Sequence, residues 1–339
     1  MFLFKQPQNL AIDLGNNNTL IGDQSSLLFS QPSCLVINED NNKVEAVGDK
    51  AYDMLEKVHH QLKSIKPLKG GVISDGESAK RMLKELVLKV NKPQLFNSSF
   101  NYLVSGVPYD TTSVEKRALR DALDQFKSRK TFLMNEPLAA ALGMGLNIRE
   151  AEGKLLIDIG GGITEVVVIS LSGVVCFQST KTAGDQLDEN IRDYFRKEFN
   201  MAIGLKTAEL LKIKLGCVFA PFANPNEKLN VLGKDLVEGI PMKREITERE
   251  LCHVLNKSIE NIEECIQLTL EKCPPELAAD IYQKGIYVTG GTALLKGMKE
   301  RLTQAFKLPV TIAPDALLSV GKGISQVLVA PEKYKPILF

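Results

Sequence analysis

The chain contains no tryptophan, three histidines and six cysteines among 339 residues. The cysteines are Cys34, Cys176, Cys217, Cys252, Cys265 and Cys273. No two form a C-x-x-C pair, and the histidines include no H-x₃₋₅-H pair. Zinc-type ligation is therefore disfavoured. The expectation is free thiols, mostly in cores, in a reducing cytoplasm. Charge of either sign is also lacking in excess. Forty-two basic and forty-one acidic side chains leave a formal net charge of +1. No global positive field would hold nucleic acid. Long apolar runs are missing as well. Met1-Phe2-Leu3-Phe4 gives way to Lys5, too short a run for a signal peptide. The most apolar stretch, Leu155 to Phe177, is broken by Asp158, Glu165 and three consecutive glycines. It reads as buried strands and not as a membrane span.

Two common nucleotide motifs are absent. Val320-Gly321-Lys322-Gly323 has a Gly-Lys, but no glycine five residues upstream and no Ser or Thr after the lysine. No G-x-G-x-x-G opens a helix after a strand, which disfavours a dinucleotide fold.

What is present is ordinary globular composition, 44% hydrophobic and 24% charged, in a chain long enough for two domains. Asn9 to Gly15 is an apolar run ending in an acid and a glycine. Asn16-Asn17-Asn18 follows, and Thr19-Leu20-Ile21 resumes the apolar pattern. This predicts a β-hairpin. Residues 35–38 and 44–48 read as a second strand pair. Met82, Leu83, Leu86, Val87 and Val90 fall at helical spacing, predicting a helix over 77–91. A strand over 102–108 and a helix over 112–127 follow.

The pattern then restarts. Leu155 to Gly162 repeats strand, acid and glycine turn, and Glu165 to Ser170 is the returning strand. Asp13-Leu14-Gly15 and Asp158-Ile159-Gly160 share one form, which suggests an internal duplication. Helices are expected over 186–199 and 204–217. Phe219 to Pro241 reads as loops with short strands. Thr247 with Glu250 forms a capping-box signature for a helix to about Lys272, ended by Pro274-Pro275. A third glycine turn, Gly290-Gly291, follows the strand Gly285 to Thr289, and a helix is expected over Ala293 to Phe306.

A strand ending in an acid and a glycine turn suits phosphate chemistry. Glycine lets the backbone approach an anion, and several N–H groups can converge on it. Asp13 and Asp158 would be placed to hold a hydrated Mg²⁺. A single such turn is commonly only a turn. Three of them, two with the same acid-x-Gly form, weigh against that reading.

The chain resembles the MreB family of bacterial actin-like proteins. Asp13-Leu14-Gly15-Asn16-Asn17-Asn18-Thr19-Leu20 is similar to the family's first phosphate loop, D-L-G-T-A-N-T-L. Asn135-Glu136-Pro137-Leu138-Ala139-Ala140-Ala141 resembles its N-E-P-x-A-A-A segment. Asp158-Ile159-Gly160-Gly161-Gly162-Ile163-Thr164-Glu165-Val166 resembles its second loop, D-I-G-G-G-T-T-E-V. The helix with Thr207-Ala208-Glu209 and Lys212 resembles the purine-side helix, and Pro275 to Ile281 and Val288 to Leu295 the adenosine segment.

The resemblance implies an α/β actin-like fold, two RNase H-like domains flanking a nucleotide cleft. Domain I would be 1–140 plus 315–339, with a subdomain at about 33–70. Domain II would be 141–314, with a subdomain at about 182–242. The implied cofactors are ATP and Mg. Asn16, Asn17, Asn18, Thr19, Gly160, Gly161 and Gly162 would contact phosphates, and Asp13 and Asp158 would hold Mg through water. Glu136 would orient the attacking water, with Thr164 assisting. Glu209, Leu210, Leu211 and Lys212 would meet the ribose and adenine edge, and Gly291, Thr292, Ala293 and Leu294 the other side. The implied partners are further copies in a filament, the membrane surface, and cell-shape and wall-synthesis membrane proteins, at the inner face of the cell membrane. Phe2, Leu3 and Phe4, with Leu95 and Phe96, would be the anchors.

Four positions depart from the family's pattern. Asn16-Asn17 replaces T-A, Ile163 replaces the first threonine of the second loop, and Thr292 replaces a third glycine. Losing a hydroxyl at Ile163 bears on hydrolysis more than on binding. It keeps open a nucleotide-bound structural filament with little or no turnover. Sugar kinases and Hsp70-type chaperones share the superfamily. A kinase would carry a catalytic aspartate, and a chaperone a further substrate-binding domain.

Overall fold

The computed structural model describes residues 9–90 and 100–339. The chain divides into two compact units. The first comprises 1–151, 169–173 and 317–339, and the second 152–168 and 174–316.

In the first unit β1 (Asn9–Leu14), β2 (Asn18–Gly22) and β3 (Leu27–Pro32) run as an antiparallel meander. β4 (Leu35–Asn38) pairs with β5 (Lys43–Val47) and with β6 (Leu62–Ile65), and the short α1 (Asp49–Met54) lies between the last two in sequence. β7 (Leu68–Lys69) and β8 (Val72–Ile73) form a two-stranded ladder across a Gly70-Gly71 turn. α2 (Gly76–Val90) buries Met82, Leu83, Leu86 and Val87, the stripe its spacing predicts. β9 (Tyr102–Val107), α3 (Ser113–Leu123), β10 (Lys130–Asn135) and α4 (Glu136–Gly143) follow. The main sheet has the order β10-β9-β1-β2-β3, with β9 parallel to both β1 and β10.

The second unit opens with β11 (Lys154–Ile159), β12 (Thr164–Ser170) and β13 (Gly173–Thr180), then α5 (Gly184–Phe199), β14 (Met201–Ala202) and α6 (Leu205–Leu215). β15 (Lys228–Asp235) and β16 (Pro241–Thr247) pair antiparallel from Lys228↔Thr247 to Lys234↔Pro241. This hairpin is longer than the short strands expected there. α7 (Glu248–Glu271) starts at the anticipated capping box: Glu250 N–H donates to Thr247 Oγ1 at 3.2 Å, and Thr247 N–H to Glu250 Oε2 at 2.8 Å. Pro275 opens α8 (Pro275–Lys284) rather than merely closing α7. After β17 (Ile286–Thr289) the expected helix from Ala293 is delayed. Gly291–Leu294 is a single 3₁₀ turn, Gly297 takes φ +82°, and α9 (Met298–Phe306) starts beyond it. β18 (Val310–Ile312) completes a sheet of order β13-β12-β11-β17-β18.

The two main sheets thus share one strand order, the structural counterpart of the repeated D-x-G. Each unit has its own core. The first gathers Leu10, Ile12, Leu83, Leu86, Leu103 and Leu133, and the second Leu155, Ile157, Phe195, Leu255, Ile262 and Val288.

The chain returns to the first unit as α10 (Ser319–Val329). The Gly-Lys of 321–322 therefore lies inside a helix and not in a phosphate loop. A Cβ on Gly323 would stand 1.8 Å from the Ala139 carbonyl, and one on Gly143 would stand 1.8 Å from that of Ser319. Glycine at both crossings lets α10 and α4 touch backbone to backbone.

Candidate functional site

Each unit presents an acid-x-Gly hairpin, and the same hydrogen bond closes both. Gly15 N–H donates to the Asn18 carbonyl at 3.1 Å, and Gly160 N–H to the Ile163 carbonyl at 3.1 Å. A Cβ would come within 2.8 Å of the acceptor at Gly15 and 3.1 Å at Gly160, so a side chain would clash in the first turn and crowd the second. The acid stands two residues before the glycine, on the strand in each case.

In the first unit the turn is fastened from below by Ser33. The Ser33 hydroxyl donates to the Gly15 carbonyl at 2.6 Å and lies 2.8 Å from the Thr19 hydroxyl, while Ser33 N–H donates to the Asn17 carbonyl at 2.9 Å. Thr19, expected at the phosphates, is fully buried in this pair. Asn16 and Asn17 face a different way. Asn16 Oδ1 accepts from Gly71 N–H at 2.8 Å, and Asn17 Oδ1 accepts from Lys66 Nζ at 3.1 Å. Asn18 is exposed and Asp13 half-buried.

Glu136 begins α4, with Pro137 next to it in the first turn. Its side chain lies over Gly106 of β9, where a Cβ would sit 3.1 Å from Glu136 Cγ. A small open pocket adjoins it, lined by Leu14, Gly106, Pro108, Thr111 and Glu115 among others. A half-buried carboxylate at the mouth of such a pocket can accept a proton or orient a water.

In the second unit Asp158 pairs with Thr289 across β11 and β17, and it is buried. Burial pushes its carboxyl up to about 6. Gly290, at φ +87°, leaves room beside it, because a Cβ there would stand 2.6 Å from Asp158 Oδ1. The Gly160 carbonyl accepts from Gly184 N–H at 3.1 Å and from the Thr292 hydroxyl at 3.0 Å. Asp185 N–H donates to the Gly161 carbonyl at 2.7 Å. The second glycine turn, the start of α5 and the third glycine turn are therefore bonded into one platform.

Several residues expected to meet ligand or substrate are committed inside the fold. Thr164 is fully buried, and its hydroxyl donates to the Thr182 carbonyl at 2.8 Å. Lys212 Nζ donates to Asp188 Oδ2 at 2.8 Å and to the Gly184 carbonyl at 2.9 Å, and the residue is buried. Leu211 belongs to the core, whereas Leu210 and Leu294 are exposed and Glu209 and Gly291 half-buried. Thr292 and Ala293 are buried. Phe2, Leu3, Phe4, Leu95 and Phe96 lie outside the described residues. No helix among the described residues is long and apolar enough to cross a membrane.

Three positions escaped the sequence reading: Ser33, Gly184 and Asp188. A Cβ on Gly184 would meet Thr292 Oγ1 at 3.1 Å and Lys212 Nζ at 3.3 Å. Asp188 is buried, its Oδ1 has no hydrogen-bond partner, and burial pushes its carboxyl up to about 7 against the pull of the Lys212 ammonium. The signal available was Gly184-Asp185-Gln186-Leu187-Asp188, a glycine and two acids opening a helix.

Paired units of one sheet order, each opened by an acid-x-Gly hairpin, define the actin-like class. The family comparison agrees. The profile of the MreB/Mbl protein family matches residues 7–336. The cell shape-determining protein MreB of Escherichia coli K12 is 37% identical over 325 residues, covering 94% of this chain and 93% of that one. The cell shape-determining protein Mbl of Bacillus subtilis 168 is 35% identical over 320 residues, covering 94% and 95%. The crystal structure of MreB 5 of Spiroplasma citri bound to AMPPNP superposes with a TM-score of 0.90 at 33% identity, covering 97% and 98%. The chain belongs to the MreB/Mbl family, and it is an actin-like cytoskeletal protein of that cell-shape family.

Proposed function

We propose that the chain binds Mg-ATP, hydrolyses it, and assembles with further copies of itself into filaments at the inner face of the membrane. The observation that carries the nucleotide reading is the matched pair of turns, closed alike at Gly15 and Gly160 and each preceded by an acid. Support comes from the related MreB 5, whose structures hold AMPPNP and ADP.

The residues present fit a magnesium ion held through water. Asp158 is a buried carboxylate with space beside Oδ1, and a hydrated dication would offset the burial that raises its pKa. Asp13 is its counterpart on the first hairpin. The metal would neutralise phosphate charge. The chain's own residues do the rest. Backbone N–H groups at 16–18 and 161–162 bind the phosphates. Glu136, settled over Gly106, orients the water that attacks the terminal phosphorus and accepts its proton. Thr164 acts from inside the fold, through the bond of its hydroxyl to the Thr182 carbonyl. Lys212 supports the nucleoside side through Asp188 and Gly184, and Glu209, Leu210, Gly291 and Leu294 offer the accessible surface there.

The membrane contact falls to Phe2, Leu3 and Phe4 with Leu95 and Phe96. Each patch binds weakly alone and strongly when repeated along a filament. Membrane proteins of cell shape and wall synthesis are the proposed further partners. A second reading, a nucleotide-bound filament with little turnover, is favoured by Ile163, which brings no hydroxyl to the second turn.

Liposome co-pelleting with simultaneous phosphate measurement tests these claims. Mg-ATP-dependent pelleting, lost in F2A/F4A, and phosphate release, lost in E136A with binding retained, are expected. Pelleting without phosphate release would select the second reading. A protein that stays in the supernatant under all conditions would contradict the filament.

A further inference from the structure

The first glycine turn carries no cation of its own. Asp13 to Thr19 reads D-L-G-N-N-N-T, without lysine or arginine. A Mg-bound nucleoside triphosphate keeps net negative charge, much of it on the terminal phosphate. Backbone N–H groups supply only partial charges against it.

A full charge stands next to this turn. Lys66, between β6 and β7, is exposed, and its Nζ lies 3.1 Å from Asn17 Oδ1. Among the described residues no carboxylate is within ion-pair distance of Lys66. The ammonium has three donors, and the neutral amide oxygen of Asn17 occupies one. A side chain on which water can supply the rest has no need of this amide for its own solvation. The contact instead fixes where the charge rests.

The backbone around Lys66 is held at that spot. Ile65 pairs with Leu35 in the β4–β6 ladder. The Pro67 carbonyl accepts from Ser74 N–H at 2.9 Å, from Asp75 N–H at 3.1 Å and from the Ser74 hydroxyl at 3.0 Å. Five residues beyond Lys66, Gly71 N–H donates to Asn16 Oδ1 at 2.8 Å. Gly70 and Gly71 make this possible, with consecutive left-handed φ values of +61° and +83°. The 66–71 segment is therefore tied to adjacent residues of the turn, through Asn17 at one end and Asn16 at the other. These are the two asparagines that depart from the family's T-A.

We propose that Lys66 is the cation that contacts the terminal phosphate of a bound nucleoside triphosphate, with Asn17 as its holding point. The assignment rests on the nucleotide reading above. A phosphate oxygen is a stronger acceptor for an ammonium than a neutral amide, so the amine exchanges Asn17 for phosphate when the triphosphate lands. A diphosphate ends one phosphate short, and Lys66 stays on Asn17. Lys66 is thus a binding residue that separates triphosphate from diphosphate.

The test is fluorescence titration of wild type, K66A and K66R with Mg-ATP and, separately, with Mg-ADP. Losing one charge-assisted contact should weaken Mg-ATP about tenfold or more in K66A, with Mg-ADP changed less than about twofold. K66R should recover most of the loss. Lys66 is exposed, so K66A should melt as wild type does. Equal weakening of both nucleotides would overturn the assignment, because Lys66 would then only brace the turn. Wild-type binding with K66A unchanged would overturn this assignment alone. If wild type binds neither nucleotide, the nucleotide reading falls and this assignment with it.

Discussion

The hydroxyl of Thr292 donates to the carbonyl of Gly160 at 3.0 Å, joining the third glycine turn to the second. The residue that departs from the family's glycine has therefore become a fastener. T292V keeps the shape and removes the bond, and T292S keeps both. T292V should lose about 1 kcal/mol in urea denaturation, the usual net worth of such a bond. T292S should lose little. Equal losses in both variants would assign the effect to packing of the methyl group.

Gly106 decides where Glu136 can lie. G106A would place a methyl 3.1 Å from Glu136 Cγ and 3.2 Å from Ile324 Cδ1. The carboxylate must then move by a fraction of an ångström. Phosphate release should fall by about tenfold or more, since misplacement on the ångström scale costs up to ~100-fold. Mg-ATP affinity should stay within about twofold of wild type. A parallel loss of affinity would mean that the cleft as a whole had been distorted.

The buried Asp158 predicts a pH slope in chelator, without nucleotide. Its folded pKa, about 6, lies above the 3.8 of an ordinary aspartate. The folded state thus holds the proton more tightly over that interval. Stability from this group is complete below about pH 4 and is lost as pH rises through about 6. D158N should flatten the slope and raise stability at pH 8 by something of the order of 2–3 kcal/mol. It should also weaken Mg-ATP binding. Stability and binding are expected to move in opposite directions, and a D158N protein less stable at pH 8 would contradict this.

Much of the fold could be read from short-range pattern. The hairpin at Asp13-Leu14-Gly15, its repeat at Asp158-Ile159-Gly160, the stripe of α2 and the Thr247–Glu250 capping box all depend on neighbours within a few residues. What was missed depends on partners far away in sequence. Ser33 matters only because β4 starts beneath the first turn, and Gly184 only because Thr292 and Lys212 converge on it. Lys212, which the family resemblance implies at the nucleoside, makes a contact that no local pattern signals. Its amine pairs with Asp188, 24 residues earlier. The β15–β16 hairpin was underestimated because Pro and Asn at 221–226 masked the strand that begins at Lys228. Gly297, in the left-handed region, delayed a helix that apolar spacing alone would have started at Ala293.

The Lys212–Asp188 pair gives a prediction by subtraction. K212M leaves the Asp188 carboxyl buried without its cation and should destabilise the protein by about 3–5 kcal/mol. D188N/K212M removes both charges and should recover much of that loss in the same denaturation assay. If K212M instead folds as well as wild type and loses only nucleotide affinity, Lys212 is a ligand contact and not a support.

Calorimetric titration of the purified chain with Mg-ATP, beside D13N and D158N, bears most directly on the proposed part of each acid-x-Gly hairpin in nucleotide binding. Saturable binding of one nucleotide per chain, weakened at least about tenfold by each substitution alone, is the predicted result. Binding that neither substitution alters, or no binding by the wild-type chain, would contradict it.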